Sequence, residues 1–146
     1  MSAAVLPLTT WGTAEASAAP TLPKAGLSIV QVPNAGVSLE HNVPKNSFTA
    51  PLAATATGPN TIRVWITPNP ARSCRTTLAD ARIGITWRNN ANGASGSNVF
   101  AACQDGGPAL SPDLRVGRGP VSFTTTILGR GGETFTVSPG SGTIVR

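Results

Sequence analysis

The chain alternates between short apolar–polar runs and frequent breaks. Its centre reads most clearly. Thr61-Ile-Arg-Val-Trp-Ile-Thr67 sends Ile62, Val64 and Ile66 to one side and Arg63, Trp65 and Thr67 to the other. Ala81 to Arg88 repeats the pattern, with Ile83, Ile85 and Trp87 opposed to Arg82, Thr86 and Arg88. A period of two over that length predicts half-buried strands at 61–67 and 81–88. Weaker runs of the same kind predict strands at 27–32, 36–40, 98–103, 121–128, 133–138 and 142–145, with a short one at 47–50. Pro44, Pro51 and Pro59 make 44–60 read as irregular or edge structure. Ser73 to Asp80 is the one place for a helical turn. Residues 89–98, all Asn, Ala, Gly and Ser, read as a turn between strands. Gly129-Arg-Gly-Gly132 between two alternating runs reads as a hairpin.

The expected fold is therefore all-β. It is a single-domain, antiparallel two-sheet sandwich, Ig-like or jelly-roll-like in general architecture, with about eight short strands. Each sheet has one apolar face to hide, which two packed sheets achieve; a closed barrel is the alternative. Composition agrees. The 146 residues include 16 Gly and 13 Pro, and charged residues make up only 12%. Long helix-forming runs are missing, and the 40% hydrophobic content argues against a disordered chain. No stretch approaches the roughly 18–20 apolar residues of a membrane helix.

Residues 1–26 differ from the rest: rich in Ala, Thr, Ser and Pro, without a clean period. The stretch Glu15-Ala-Ser-Ala-Ala-Pro20 ends like a secretory cleavage site, yet no basic segment precedes it and Pro7 interrupts the apolar run. This segment is expected to be the remnant of an export signal or a flexible arm, ahead of a β-sandwich domain at 27–146. With the export reading, Cys74 and Cys103 are expected to form a disulfide. The lone His41 and the lack of CxxC spacing argue against a metal site. The general look is of a secreted domain from a high-GC bacterium.

Catalytic groups are sparse. The acids are Glu15, Glu40, Asp80, Asp105, Asp113 and Glu133, none paired on one strand face, and no nucleophile elbow surrounds a serine. His41 reads as a surface histidine at a strand end. No catalytic residue, cofactor or metal is expected.

Charge then singles out one surface. The chain is +5 overall, and residues 61–88 hold five Arg against the single acid Asp80. Arg63, Trp65, Arg82 and Arg88 are the candidate binding residues, with Arg72 and Arg75 in the connection; an outward Trp beside cations can stack on a ligand or anchor an interface, and the alternative is that a second layer, such as the proline-rich N-terminal arm, covers Trp65. Trp87 shares the Ile83 and Ile85 side and is expected in the core. The expected function is a non-enzymatic secreted or cell-surface protein acting in binding or surface structure. Its partners would be a protein, a second copy of itself, or an anionic or carbohydrate ligand; nothing signals specific nucleic-acid binding. The alternative is an assembly subunit of a virion or filament using its N-terminal arm, with a small secreted hydrolase as a third.

Overall fold

In a computed structural model, residues 22–40, 43–130 and 135–145 are described. They form twelve strands and one short 3-10 turn. The strands are β1 (Ser28–Val32), β2 (Asn34–Glu40), β3 (Val43–Ala50), β4 (Leu52–Ala56), β5 (Ile62–Ile66), β6 (Arg82–Asn89) and β7 (Ser95–Ala101). They continue as β8 (Cys103–Gln104), β9 (Gly107–Pro108), β10 (Val121–Leu128), β11 (Thr136–Ser138) and β12 (Gly140–Val145). The turn spans Ala71–Arg75. The expected all-β antiparallel sandwich is the fold observed.

One layer is a five-stranded sheet in the order β1-β12-β10-β6-β7. The other is built from a three-stranded sheet, β11-β2-β3, and a two-stranded one, β4-β5. Thr49 and Asn69 exchange backbone hydrogen bonds of 3.0 and 2.8 Å and knit these two pieces together. A small β8-β9 ribbon stands apart. Between the layers lies a core whose fully buried members include Ile62, Val64, Ile66, Ile83, Ile85 and Ile127. These are the apolar positions of the alternating runs, buried as a period of two requires.

The prolines explain how the layers connect. Pro33 separates β1 from β2, and Pro139 separates β11 from β12. Each is a point where one continuous extended segment leaves one sheet and joins the other. Because β12 pairs with β1 and β11 with β2, the two segments cross together as a bent ribbon. Pro51 does the same within the second layer, between β3 and β4. Proline has no N–H to give a ladder, so a sheet change is a natural place for it.

Asn34 closes this corner. It is fully buried. Its Nδ2 donates to the Thr125 carbonyl at 2.8 Å, and its Oδ1 accepts from the Thr136 hydroxyl at 3.1 Å. Thr136 Oγ1 in turn accepts the Ile127 N–H at 2.7 Å. Gly140 lies against it, where a Cβ would collide with Thr125 Oγ1 and the Asn34 backbone nitrogen.

Several local expectations change. Residues 44–60, read as irregular, contain β3 and β4; Pro44 is tolerated beside the register shift at Ser38/Leu39 and Pro51 at the joint. The polar stretch 89–98 is only partly a turn: β7 begins at Ser95, because it is an edge strand whose odd-numbered residues face solvent. The helical turn sits at Ala71–Arg75, slightly before the expected place. The Gly129–Gly132 signal does not make a simple hairpin, since β11 pairs with β2 in the other layer and β10 takes β12 as its neighbour. Residues 1–21 and His41 lie outside the described residues.

The expected disulfide is present: Cys74 in the 3-10 turn is bonded to Cys103, with a sequence separation of 29. Closing a loop of that size stabilises by roughly 3.5 kcal/mol on the chain-entropy account.

Replacing Asn34 by Ala is expected to lower the unfolding free energy by about 3 kcal/mol, because it strands the buried Thr125 carbonyl and removes the acceptor of the part-buried Thr136 hydroxyl. Urea denaturation measures this; a loss under about 1 kcal/mol would show that the amide does not hold the corner.

Candidate functional site

Alternation along the five-stranded sheet sends one set of side chains into the core and the other to solvent. On β6 the outward set includes Arg82, Thr86 and Arg88, and on β10 it includes Ser122 and Thr124. Cross-strand register places Thr86 beside Thr124 and beside Ser97, and Arg88 beside Ser122 and Ser95. One strand further, Thr124 faces Ser141 and Ser122 faces Thr143. Two hydroxyl rows thus run across the sheet at the usual inter-strand spacing of about 4.8 Å, one of them interrupted by Arg88. A shallow groove of about 220 Å³ lies over this region, lined by Thr86, Arg88, Ser122 and Thr124, with Trp87 and Phe123 at its floor.

Arg82 and Arg88 are both exposed. Among the described residues neither takes part in an ion pair. The outward positions of the five strands carry no Asp or Glu. Six residues of strand separate the two arginines, roughly 20 Å.

The other two candidates are placed elsewhere. Trp65 is only 3% exposed. Of the two placements weighed for it, the outward one is corrected and the covered one is observed: Ile62, Val64 and Ile66 lie in the main core and Trp65 is buried on the opposite side of β5, where Arg63 stays partly exposed. Strict alternation does imply two faces, but it does not say that the second one is wet. Arg63, on the same strand, belongs to the β4-β5 sheet and so does not share a face with Arg82 and Arg88. It pairs with Asp113, Nε to Oδ1 at 3.1 Å, at the surface. Asp113 Oδ1 also accepts the Thr57 hydroxyl at 2.9 Å. That hydroxyl, and after it Arg63, hold the Asp113 carboxyl below its ordinary value against the opposing effect of desolvation.

Trp87 packs partly buried against the core, as its parity indicated. Gly96 on β7 is directly opposite it, and a Cβ there would press into the indole ring, so the glycine makes room for the aromatic. Among the described residues the buried Trp87 Nε1–H has no hydrogen-bond partner. At the end of β6 the buried Asn89 holds the 116–118 loop. Its Nδ2 donates to the carbonyls of Val116 at 2.7 Å and Arg118 at 2.6 Å, while its Oδ1 accepts the N–H of Ala91 at 2.8 Å. This fixes the far rim of the face.

The hydroxyl rows escape a reading for single chemistry-bearing residues, because Ser and Thr are ordinary strand residues. Their only signal is the repeated placement of Ser122, Thr124 and Thr126 at alternate positions of β10. Among the described residues no three His, Cys, Asp or Glu side chains gather as a metal site would need, and no helix is long and apolar enough to cross a membrane. No family model matches the chain, and no curated protein matches it in sequence.

A lowered Asp113 pKa means that its interactions are fully formed above the ordinary value of 3.8 and are lost as pH falls through the lower, folded-state value. An NMR titration of the carboxyl carbon should show Asp113 titrating below that value, and Thr57→Val should move it upward. An unchanged midpoint would mean that the hydroxyl does not act on the carboxylate.

Proposed function

We propose that this chain is a non-enzymatic binding module of the cell exterior, which engages an acidic glycan through the outer face of its five-stranded sheet. The observation that carries this reading is the pair Arg82 and Arg88, exposed, without acid partners, on a surface of Ser and Thr hydroxyls. Guanidinium groups recognise carboxylates through two parallel hydrogen bonds. Hydroxyl rows offer donors and acceptors to a polyol chain lying on this face. The Cys74–Cys103 bridge supports an oxidising compartment.

A second reading, an assembly subunit, is favoured by Val30 and Val32, which are 74% and 60% exposed on β1 at the side of the same sheet. Side-by-side exposed valines on a strand are a ready protein contact. Sedimentation separates the two: a monomer over a wide concentration range removes the assembly reading, and an oligomer that Val30→Ser with Val32→Ser dissolves supports it.

Electrophoresis through gels containing alginate, a polyuronate, or neutral dextran tests the glycan reading. Retardation is expected in alginate only, weakening as salt rises. The double variant Arg82→Ser with Arg88→Ser should bind on the order of 10-fold less tightly. Equal mobility of the two proteins in alginate would refute the reading.

A further inference from the structure

A second polar concavity lies on the other layer, away from the glycan face. It opens between β3 and the disulfide-anchored turn, and holds about 300 Å³. Lys45, Asn46 and Ser47 line it from β3; Arg72, Ser73 and Thr76 line it from the turn and the residue that follows. The Pro70 ring and Thr77 complete the wall, and among the described residues no carboxylate or aromatic side chain lines the space. The volume exceeds that of several waters.

Ser73 is the informative residue. It is 2% exposed. Its backbone is fully engaged: its N–H donates to the Pro70 carbonyl at 3.0 Å, and its own carbonyl accepts from Leu78 at 2.7 Å. Its hydroxyl makes no hydrogen bond among the described residues. The hydroxyl oxygen itself is not sealed off, since among the described residues Trp87 Nε1 is the one fully enclosed side-chain polar atom without a partner. Thr76 beside it differs, since its hydroxyl proton is already committed to the Arg72 carbonyl at 3.0 Å. Ser73 therefore has a donor to give to whatever enters the cleft. Arg72 takes part in no ion pair among the described residues and stands at the mouth.

The walls are fixed before any ligand arrives. Cys74, next to Ser73, is bonded to Cys103. Asn69, just before the turn, exchanges two backbone hydrogen bonds with Thr49 of β3. Donors held in place in advance lose little freedom on binding.

We infer that this cleft is a binding site for a tetrahedral oxyanion, the phosphate or sulfate group of a small ester. Arg72 supplies a bidentate cationic contact, and the Ser73 hydroxyl donates to a second oxygen. This inference is independent of the glycan reading, which uses a different face and carboxylates.

The test follows the backbone amide resonances of Arg72, Ser73 and Thr76 in the oxidised full chain at constant ionic strength. One titration uses inorganic phosphate, a second inorganic sulfate, and a third acetate. Saturable shifts at these amides are expected with phosphate, sulfate or both, the stronger of the two naming the ester. None is expected with acetate. Arg72→Ser, at an exposed position, should weaken binding on the order of 10-fold, and Ser73→Ala several-fold. Arg82→Ser with Arg88→Ser should leave phosphate and sulfate binding unchanged, just as Arg72→Ser should leave alginate binding unchanged. Should Ser73→Ala fail to fold, Arg72→Lys provides the second variant, which keeps the charge but loses the bidentate fork and is expected to weaken binding. Shifts absent with both oxyanions, equal with acetate, or unaltered by Arg72→Ser would overturn the inference.

Discussion

The fold depends on one corner, where two extended segments leave one sheet and enter the other at Pro33 and Pro139. A change of sheet breaks two ladders at once and leaves backbone groups facing inward with no strand to meet. In a packed interior each such group costs about as much as a lost hydrogen bond. Asn34 solves this with a side chain that imitates a peptide unit: its amide nitrogen satisfies Thr125 on β10, and its amide oxygen takes the Thr136 hydroxyl of β11. Thr136 then satisfies the Ile127 N–H. Four strands thus meet around one buried amide, and Gly140 is required because no Cβ fits between them.

The same device recurs where the layers need joining. On the β1 side, the Gln31 amide pairs with Leu52 on β4 as another strand would, donating to its carbonyl and accepting from its N–H, both at 2.8 Å. Gly26 and Leu27 direct their N–H groups to the Ala54 carbonyl. The edge of β4 is therefore occupied, which removes one site of uncontrolled strand pairing. Ser111 does similar work at the free side of β5: its hydroxyl accepts the Val64 N–H at 2.9 Å and its own N–H reaches the Val64 carbonyl at 2.9 Å. Side-chain amides and hydroxyls here stand in for a neighbouring strand.

This explains which parts of the structure were legible in the sequence. Ile83, Ile85 and their outward neighbours announce β6 because a period of two is a local property. The cysteine pair was readable for a similar reason: only two cysteines exist, so the pairing has no rival. The strand predicted at 27–32 stops before Pro33, and Pro51 was read within irregular or edge structure; each proline does lie between strands. That extended chain resumes at once on the far side is decided by packing. Asn34 and Gln31 look like ordinary polar residues, and only the fold places them at a corner and an edge. Trp65 shows the same limit at the candidate site. Its parity was right, but whether the second face of β5 meets water depends on distant residues. Of the arginines proposed together, Arg82 and Arg88 share a strand and so stayed together; Arg63 lies on a strand assigned to another sheet.

The distribution of charge bears on what the outer face can hold. Asp80 and Asp113 are each paired with an arginine, to Arg130 at 3.3 Å and Arg63 at 3.1 Å. In a chain with 12% charged residues, that pairing removes two of few available acids and leaves Arg82 and Arg88 locally uncompensated. Screening in physiological salt acts over about 8 Å, and the two arginines are roughly 20 Å apart. They do not build a shared field, and each meets its own anion. A single uronate gains one exposed contact, of the modest value that surface pairs have. A polymer long enough to reach both makes the second contact intramolecular, at an effective concentration set by its own stiffness. The hydroxyl rows lie across the strands while the arginines are spaced along β6, so a polymer that reached both would run along β6 and cross the row at Thr86. On the proposed glycan reading, the face would therefore favour a polymer over its monomer, a preference set by the separation of the two charges and the rigid strand that holds them apart.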